Sequence, residues 1–232
     1  MNGATTGSKS STQTALYDES LQGYWLLDES SGNALDSSGN GYDMIVTGAT
    51  QGAAGHINTA YDFDGVNDDA SVNAAALNST FSGTSVITIA FWASSAAYNA
   101  LDAAFAIGND NTDDVLAIYP YFAGGMGAEQ INVWYDGEFI FAVANTLLAD
   151  GTLNHFCYVQ RSATDHELYI NGVSVATDAT SKAISAAMDN VTIGAYDPTN
   201  NEPFDGIIDQ VRLYNVALTD PQIASLAAMV AR

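Results

Sequence analysis

From Tyr24 onward, short apolar runs alternate with clusters of Gly, Asn, Asp and Ser at roughly the 8–12-residue spacing of an all-β sandwich. In Val86–Ser95, Ile87, Ile89 and Phe91 fall on one side of an extended strand and Thr88, Ala90 and Trp92 on the other. Both sides are apolar, which predicts a central strand. Further strands are predicted at Gln130–Tyr135, Phe139–Val143, Leu153–Arg161, Glu167–Ile170 and Val191–Ala195. Turn signals lie at Ser38-Gly39-Asn40-Gly41, Asp64-Gly65, Asp136-Gly137 and Asn171-Gly172, the last reading as a hairpin. No strand–helix–strand rhythm is present, so a parallel α/β sheet is not expected. One helix is predicted, near the end. Thr219 and Gln222 have capping-box spacing, Pro221 is tolerated in the first turn, and Ile223, Leu226, Ala227 and Val230 form an apolar stripe. The pattern predicts a two-sheet antiparallel β-sandwich clasped by a C-terminal helix.

The 232 residues, 47% of them hydrophobic, suit one sandwich domain over residues 21–232. Residues 1–20 read as a flexible polar arm, because Met1–Gln13 has little to bury against the entropy cost of ordering. That start also lacks the apolar run of a secretory signal, so the expectation is action inside a cell or release with a particle unless an upstream leader was trimmed. Lys and Arg number 5 against 27 Asp and Glu, and a net charge of −22 repels phosphate backbones and anionic lipid. Nucleic acid and membrane are therefore not expected partners. Six of the 27 acids are Glu, so Asp dominates and the charge is expected in turns. Self-repulsion of this size is a reason to look for a divalent cation. Cys157, the single cysteine, sits in an apolar run and reads as a small core residue.

Gly23-Tyr24-Trp25-Leu26-Leu27-Asp28-Glu29 followed by Asp36-Ser37-Ser38-Gly39-Asn40-Gly41 resembles the first strand and loop of laminin-G-like jelly rolls. Further similarities follow in family order: Ala60–Gly65, Ile87–Trp92, Asn154–Val159, Leu168–Gly172, Ile193-Gly194 and Asp205–Asn215, spanning about residues 21–228. The resemblance implies a concanavalin A-like jelly roll, often with a structural calcium, and roles in sugar binding, adhesion or protein contact. His155, Cys157 and Ser162 echo the pentraxin signature, but Gln160 stands where that family has Trp and no second cysteine exists. Pentraxin proper is rejected.

Asp209 shares the strand phase of Ile207, Val211 and Leu213, and Asp28 that of Tyr24 and Leu26, so both carboxylates need local partners. Since the first and last strands lie close together in the resembling family, a structural Ca2+ site is expected at Asp28 and Asp209, with Asn33 and Asp36 contributing. The alternative is a hydrogen-bonded Asp pair. Tyr119, Tyr121, Trp134 and Tyr135 are candidate sugar-stacking rings, with sheet packing as the alternative for each. His56, His155 and His166 have no ligand spacing, and His155 reads as structural. The Asp136-Gly137-Glu138 acids read as a hairpin turn. No E-x-D-x-E, G-x-S-x-G or phosphate-loop pattern is present, and no catalytic residue is assigned.

These features lead to the expectation of a non-enzymatic structural or adhesive protein on a phage virion surface, as a decoration or tail-associated subunit. Its expected partners are other virion or surface proteins and glycans, in a homo-oligomer or larger assembly. The alternative is an exported, extracellular carbohydrate-binding lectin module. A polysaccharide-cleaving enzyme is the second alternative.

Overall fold

The computed structural model describes residues 19–95, 102–109, 112, 114–123, 129–144, 151–198 and 202–230. The expected arm falls almost wholly outside them. The described strands are β1 (Leu21–Trp25), β2 (Ile45–Thr47), β3 (Thr50–Ala54), β4 (Thr59–Asp64), β5 (Asp69–Val72), β6 (Ile87–Ser95), β7 (Phe105–Asn109) and β8 (Asp114–Ala123). They continue with β9 (Glu129–Tyr135), β10 (Glu138–Ala144), β11 (Asn154–Ser162), β12 (Asp165–Ile170), β13 (Val173–Asp178), β14 (Asn190–Ile193) and β15 (Asp205–Tyr214). Helix α1 (Ala75–Phe81) follows β5, and α2 (Asp220–Ala227) follows β15.

The strands form two antiparallel sheets. An eight-stranded sheet runs β13-β12-β11-β6-β15-β4-β3, with β1 also on β15, and a seven-stranded sheet runs β10-β9-β8-β7-β14-β5-β2. Strand β15 holds two partners on one edge: its first half pairs with β4 and its second half with β1. Alternation explains the core. Ile87, Ile89 and Phe91 of β6 share one face, as expected, and that face points inward, into one core cluster with Phe105 and Ile107 of β7 and Leu116 and Ile118 of β8. At roughly 25 cal/mol per Å² of apolar surface removed from water, this layer is the main stabilising term. Asn171 and Gly172 both have positive φ, 50° and 79°, giving the tight β12–β13 hairpin expected from the sequence. A Cβ on Gly172 would come within 3.1 Å of Ala224 Cα, so glycine also permits α2 to approach this turn.

Helix α2 starts where expected: Gln222 Oε1 accepts the Thr219 amide at 2.9 Å and the Thr219 hydroxyl at 2.8 Å. Ile223 and Leu226 enter a second apolar cluster with Tyr24, Cys157, Tyr169 and Tyr214 on the outer side of the eight-stranded sheet. Cys157 is buried there, and burial raises its thiol pKa. The expectation of one helix is corrected by α1, a two-turn element held by Leu77 and Phe81 at i and i+4, both buried and part of the main core.

Candidate functional site

The two outer faces differ. On the eight-stranded sheet, the row Asp209–Trp92–His155 crosses β15, β6 and β11. It is roofed by residues 55–59 and by the segment after α2. His56 stacks on Trp92 with centroids 3.4 Å apart, and its Nε2 lies 2.5 Å from the Met229 carbonyl. His155 is fully buried with its ring edge toward Trp92, and burial, assisted by Arg212 and His56, lowers its pKa to about 3. It is therefore a neutral packing residue. Arg212, 1% exposed, lies 4.1 Å from the Tyr24 ring centroid and donates to the Tyr24 hydroxyl and to Gln210 Oε1 at 2.5 and 2.9 Å.

Asp209 is fully buried, but it does not point with the inward apolar residues as its sequence phase predicts. Ile208, Val211 and Leu213 are the β15 residues that enter the main core. A bulge between Asp209 and Arg212, with Gln210 at φ 55°, shifts the alternation and turns Asp209 outward beneath the 55–59 loop. Its Oδ2 accepts the amides of His56 and Ile57 at 2.8 and 3.0 Å, and burial, with a smaller effect of Asp28, raises its pKa to about 7. Gly55 is required at this approach, since a Cβ there would lie 2.8 Å from Asp209 Oδ2 and 2.5 Å from the Thr59 carbonyl. Asp28 holds the other end of the loop, accepting the Thr59 amide and the Asn58 side-chain amide, each at 3.0 Å.

The structure thus brings Asp28 and Asp209 to one loop but leaves the other expected calcium ligands apart. Asn33 is exposed, and both Asp36 oxygens organise a separate turn by accepting from Tyr24, Ser38 and Tyr42. Among the described residues, no group of three His, Cys, Asp or Glu side chains is placed to hold a metal ion. Asp209 Oδ2 and both Asp28 oxygens face N–H protons rather than a common point, Asp209 Oδ1 is buried without a hydrogen-bond partner, and calcium takes six to eight oxygens. This geometry gives the calcium expectation no support. It fits a pair of acids that staple a loop.

The seven-stranded sheet's outer face is built differently. Cross-strand register aligns Ser71 (β5), Thr192 (β14), Ala106 (β7), Ala117 (β8), Trp134 (β9) and Phe139 (β10) in one row. Ala103, Ala106, Val115, Ala117 and Tyr119 form a small apolar bed on which the partly exposed Trp134 and Tyr196 rest. Phe139, 40% exposed, meets Trp134 edge-on at 5.0 Å and Tyr119 at 6.0 Å. Beside these rings, Ala106, Gly108, Val115, Asn190, Thr192 and Tyr196 line a shallow depression. Rings, hydroxyls and an amide therefore share one face.

Of the expected stacking rings, Trp134 lies on this face and is partly exposed. Tyr119 shares the face but is buried, its hydroxyl donating to Glu202, and burial raises its pKa. Tyr135 is corrected to a core residue: as the neighbour of Trp134 in the strand it points inward, fully buried, with its hydroxyl 3.1 Å from Gln160 Oε1. Tyr121 lies in β8, and its side chain is outside the described residues. Sequence reasoning missed Phe139 and Tyr196. Phe139 was findable, because the Asp136-Gly137 turn sets it opposite Trp134. Tyr196 follows β14 in a bend and has no periodic signal.

Comparison with known proteins places this geometry in context. The profile of a family described as the concanavalin A-like lectin/glucanases superfamily (Laminin_G_3) matches residues 63–224. No curated protein matches the chain. Among solved structures, domain 4 of AbnA, a GH43 extracellular arabinanase from Geobacillus stearothermophilus solved with arabinotriose, superposes with a TM-score of 0.66 at 21% identity. The match covers 89% of this chain and 98% of that domain. Trypanosoma rangeli sialidase gives a TM-score of 0.66 at 14% identity, covering 90% of this chain but 32% of the sialidase. The CBM40 domain of Ruminococcus gnavus IT-sialidase, bound to α2,3-sialyllactose, gives 0.56 at 19% identity, covering 72% of this chain and 97% of that domain. At these identities the likeness is one of fold.

Proposed function

The chain belongs to the concanavalin A-like lectin/glucanase superfamily, and from that premise we propose that it is a non-catalytic, extracellular carbohydrate-binding domain whose ligand lies on the outer face of the seven-stranded sheet. The observation that carries this reading is the row from Ser71 to Phe139: hydroxyls at one end, small residues in the middle and partly exposed aromatic rings at the other. Sugar rings present C–H faces that stack on aromatic rings, a need the partly exposed rings meet, and the partly exposed Ser71 borders the other end of the row. The similar AbnA domain and CBM40 domain, each solved with an oligosaccharide, add support.

The acids near this face support binding over catalysis. Glycosidases use two carboxyl groups on either side of the scissile bond. Here Asp69 is buried and hydrogen-bonded to Ser71 and Thr47, while Glu202 accepts the Tyr119 hydroxyl. Neither the similar structures nor this face supports a virion-surface subunit, so the exported lectin reading is preferred.

The test is a glycan array probed with the full chain and with Trp134→Ala. Wild type is expected to bind a defined set of oligosaccharides, and Trp134→Ala to lose at least tenfold in affinity while keeping its thermal transition. Absence of binding to any glycan, or an unchanged profile for a folded Trp134→Ala, would overturn the proposal.

A further inference from the structure

Building on the reading of the seven-stranded face as a glycan site, we infer that its ligand is an uncharged glycan and that the face discriminates against sialylated, uronate and sulfated sugars. Of the five Lys and Arg residues, none lies between Ser10 and Gln160. That stretch supplies every strand of the seven-stranded sheet except β14, whose sequence is Asn-Val-Thr-Ile. The sequence segments 96–101, 110–113, 124–128, 145–150 and 199–201 also contain no basic residue.

Lys9 and Arg232 lie outside the described residues, and the remaining three cations are committed elsewhere. Arg161 sits on the outer side of the other sheet, bonded to Glu167 at 2.7 Å and to the Tyr169 hydroxyl at 2.8 Å, with Asp220 at 3.5 Å. Lys182, 8% exposed, is held by the Glu138 carboxylate at 3.0 Å and the Asp136 carbonyl at 2.9 Å. Arg212 is enclosed beneath Tyr24. The candidate face has instead Asp69, near enough to Asp197 for the two to repel, and Glu202 beside Tyr119.

An anionic sugar brought to this face would lose hydration without gaining a charge-assisted bond from Lys or Arg. It would also meet the field of a chain carrying −22, which salt screens over about 8 Å at physiological ionic strength. A neutral sugar meets neither obstacle. Stacking on Trp134 requires no ligand charge, and the polar side chains of β5 and β14 that border the rings, Ser71, Thr192 and Asn190, are themselves uncharged.

Matched pairs test the inference: lactose against α2,3-sialyllactose, and galactose oligomers against galacturonate oligomers, with arabinotriose as a further neutral probe. They are presented to the full chain with an array of neutral glycans and their sulfated counterparts, at 50 and 500 mM NaCl. Neutral members are expected to bind at least tenfold more tightly than their anionic counterparts at low salt, with the gap narrowing at high salt. An anionic member that binds as tightly as its neutral partner would overturn the charge selectivity and leave glycan binding standing. Failure of every sugar in both classes would overturn the glycan reading and this inference with it.

Discussion

The outer faces of the two sheets show how one sandwich assigns different work to its two sides. The face of the eight-stranded sheet is closed by the chain itself. Helix α2, the 55–59 loop and Met229 lie over a layer containing Arg212, Asp209, Trp92 and His155. The face of the seven-stranded sheet keeps Trp134, Phe139 and Tyr196 partly exposed, and its strands contain no Lys or Arg. On the first face His56 and Asp209 Oδ2 hold the roof by hydrogen bonds. On the second face the partly exposed rings are open to a ligand, while Thr192 accepts from Asn190 and Ser71 is bonded to Asp69.

The comparison is broken most forcefully at Arg212. Arg212→Ala removes one of the largest buried side chains and three buried hydrogen bonds, and it is expected to cost roughly 3–5 kcal/mol in denaturant unfolding. A loss below about 1 kcal/mol would mean that the closed face contributes little to stability.

The next effect is a pH dependence with its largest contribution from Asp209 on the same face. Asp209 has a folded pKa raised from 3.8 to about 7, so the fold favours its protonated form. Its contribution is complete below about pH 4 and is lost as pH rises to about 7, an effect on the order of 3–4 kcal/mol at its limit. Burial raises the pKa of Asp62, Asp68 and Asp69 as well, with the same sign. Stability measured by chemical denaturation is therefore expected to be higher at pH 5 than at pH 8, and Asp209→Asn to flatten the slope. An unchanged slope in Asp209→Asn would remove Asp209 as the source.

Ile223→Ala in α2 sharpens the contrast, with an expected loss of roughly 2–4 kcal/mol. Trp134→Ala on the open face is expected to lose less than about 1 kcal/mol, because the ring is partly exposed and rests on a small bed. The smallest effect concerns metal. If amides alone neutralise Asp28 and Asp209, a chelator leaves the melting temperature unchanged within about 1 °C, and calcium that raises it by about 4 °C or more would contradict the loop-staple reading.

Much of the fold was legible because alternation and turn chemistry act locally. The shared face of Ile87, Ile89 and Phe91, the Asn171-Gly172 hairpin and the Thr219–Gln222 helix start all stand as expected. The orientation of Asp209 was not legible, since a bulge at Gln210 breaks the count of two that the sequence suggests. Nor could the sequence tell a carboxylate facing amides from one facing a cation. In the candidate site, Trp134 was legible as an aromatic in a strand, whereas separating it from Tyr135 required strict use of alternation. Tyr196 is placed by a tertiary approach that leaves no local mark.

The most direct measurement is hydrogen–deuterium exchange of the full chain with and without the neutral oligosaccharide that binds most tightly on the array. Slower exchange is expected in β8, β9, β10 and β14 and around Tyr196, with no change in the 55–59 loop or α2. Protection confined to α2 and that loop would contradict the assignment of the seven-stranded face as the binding surface.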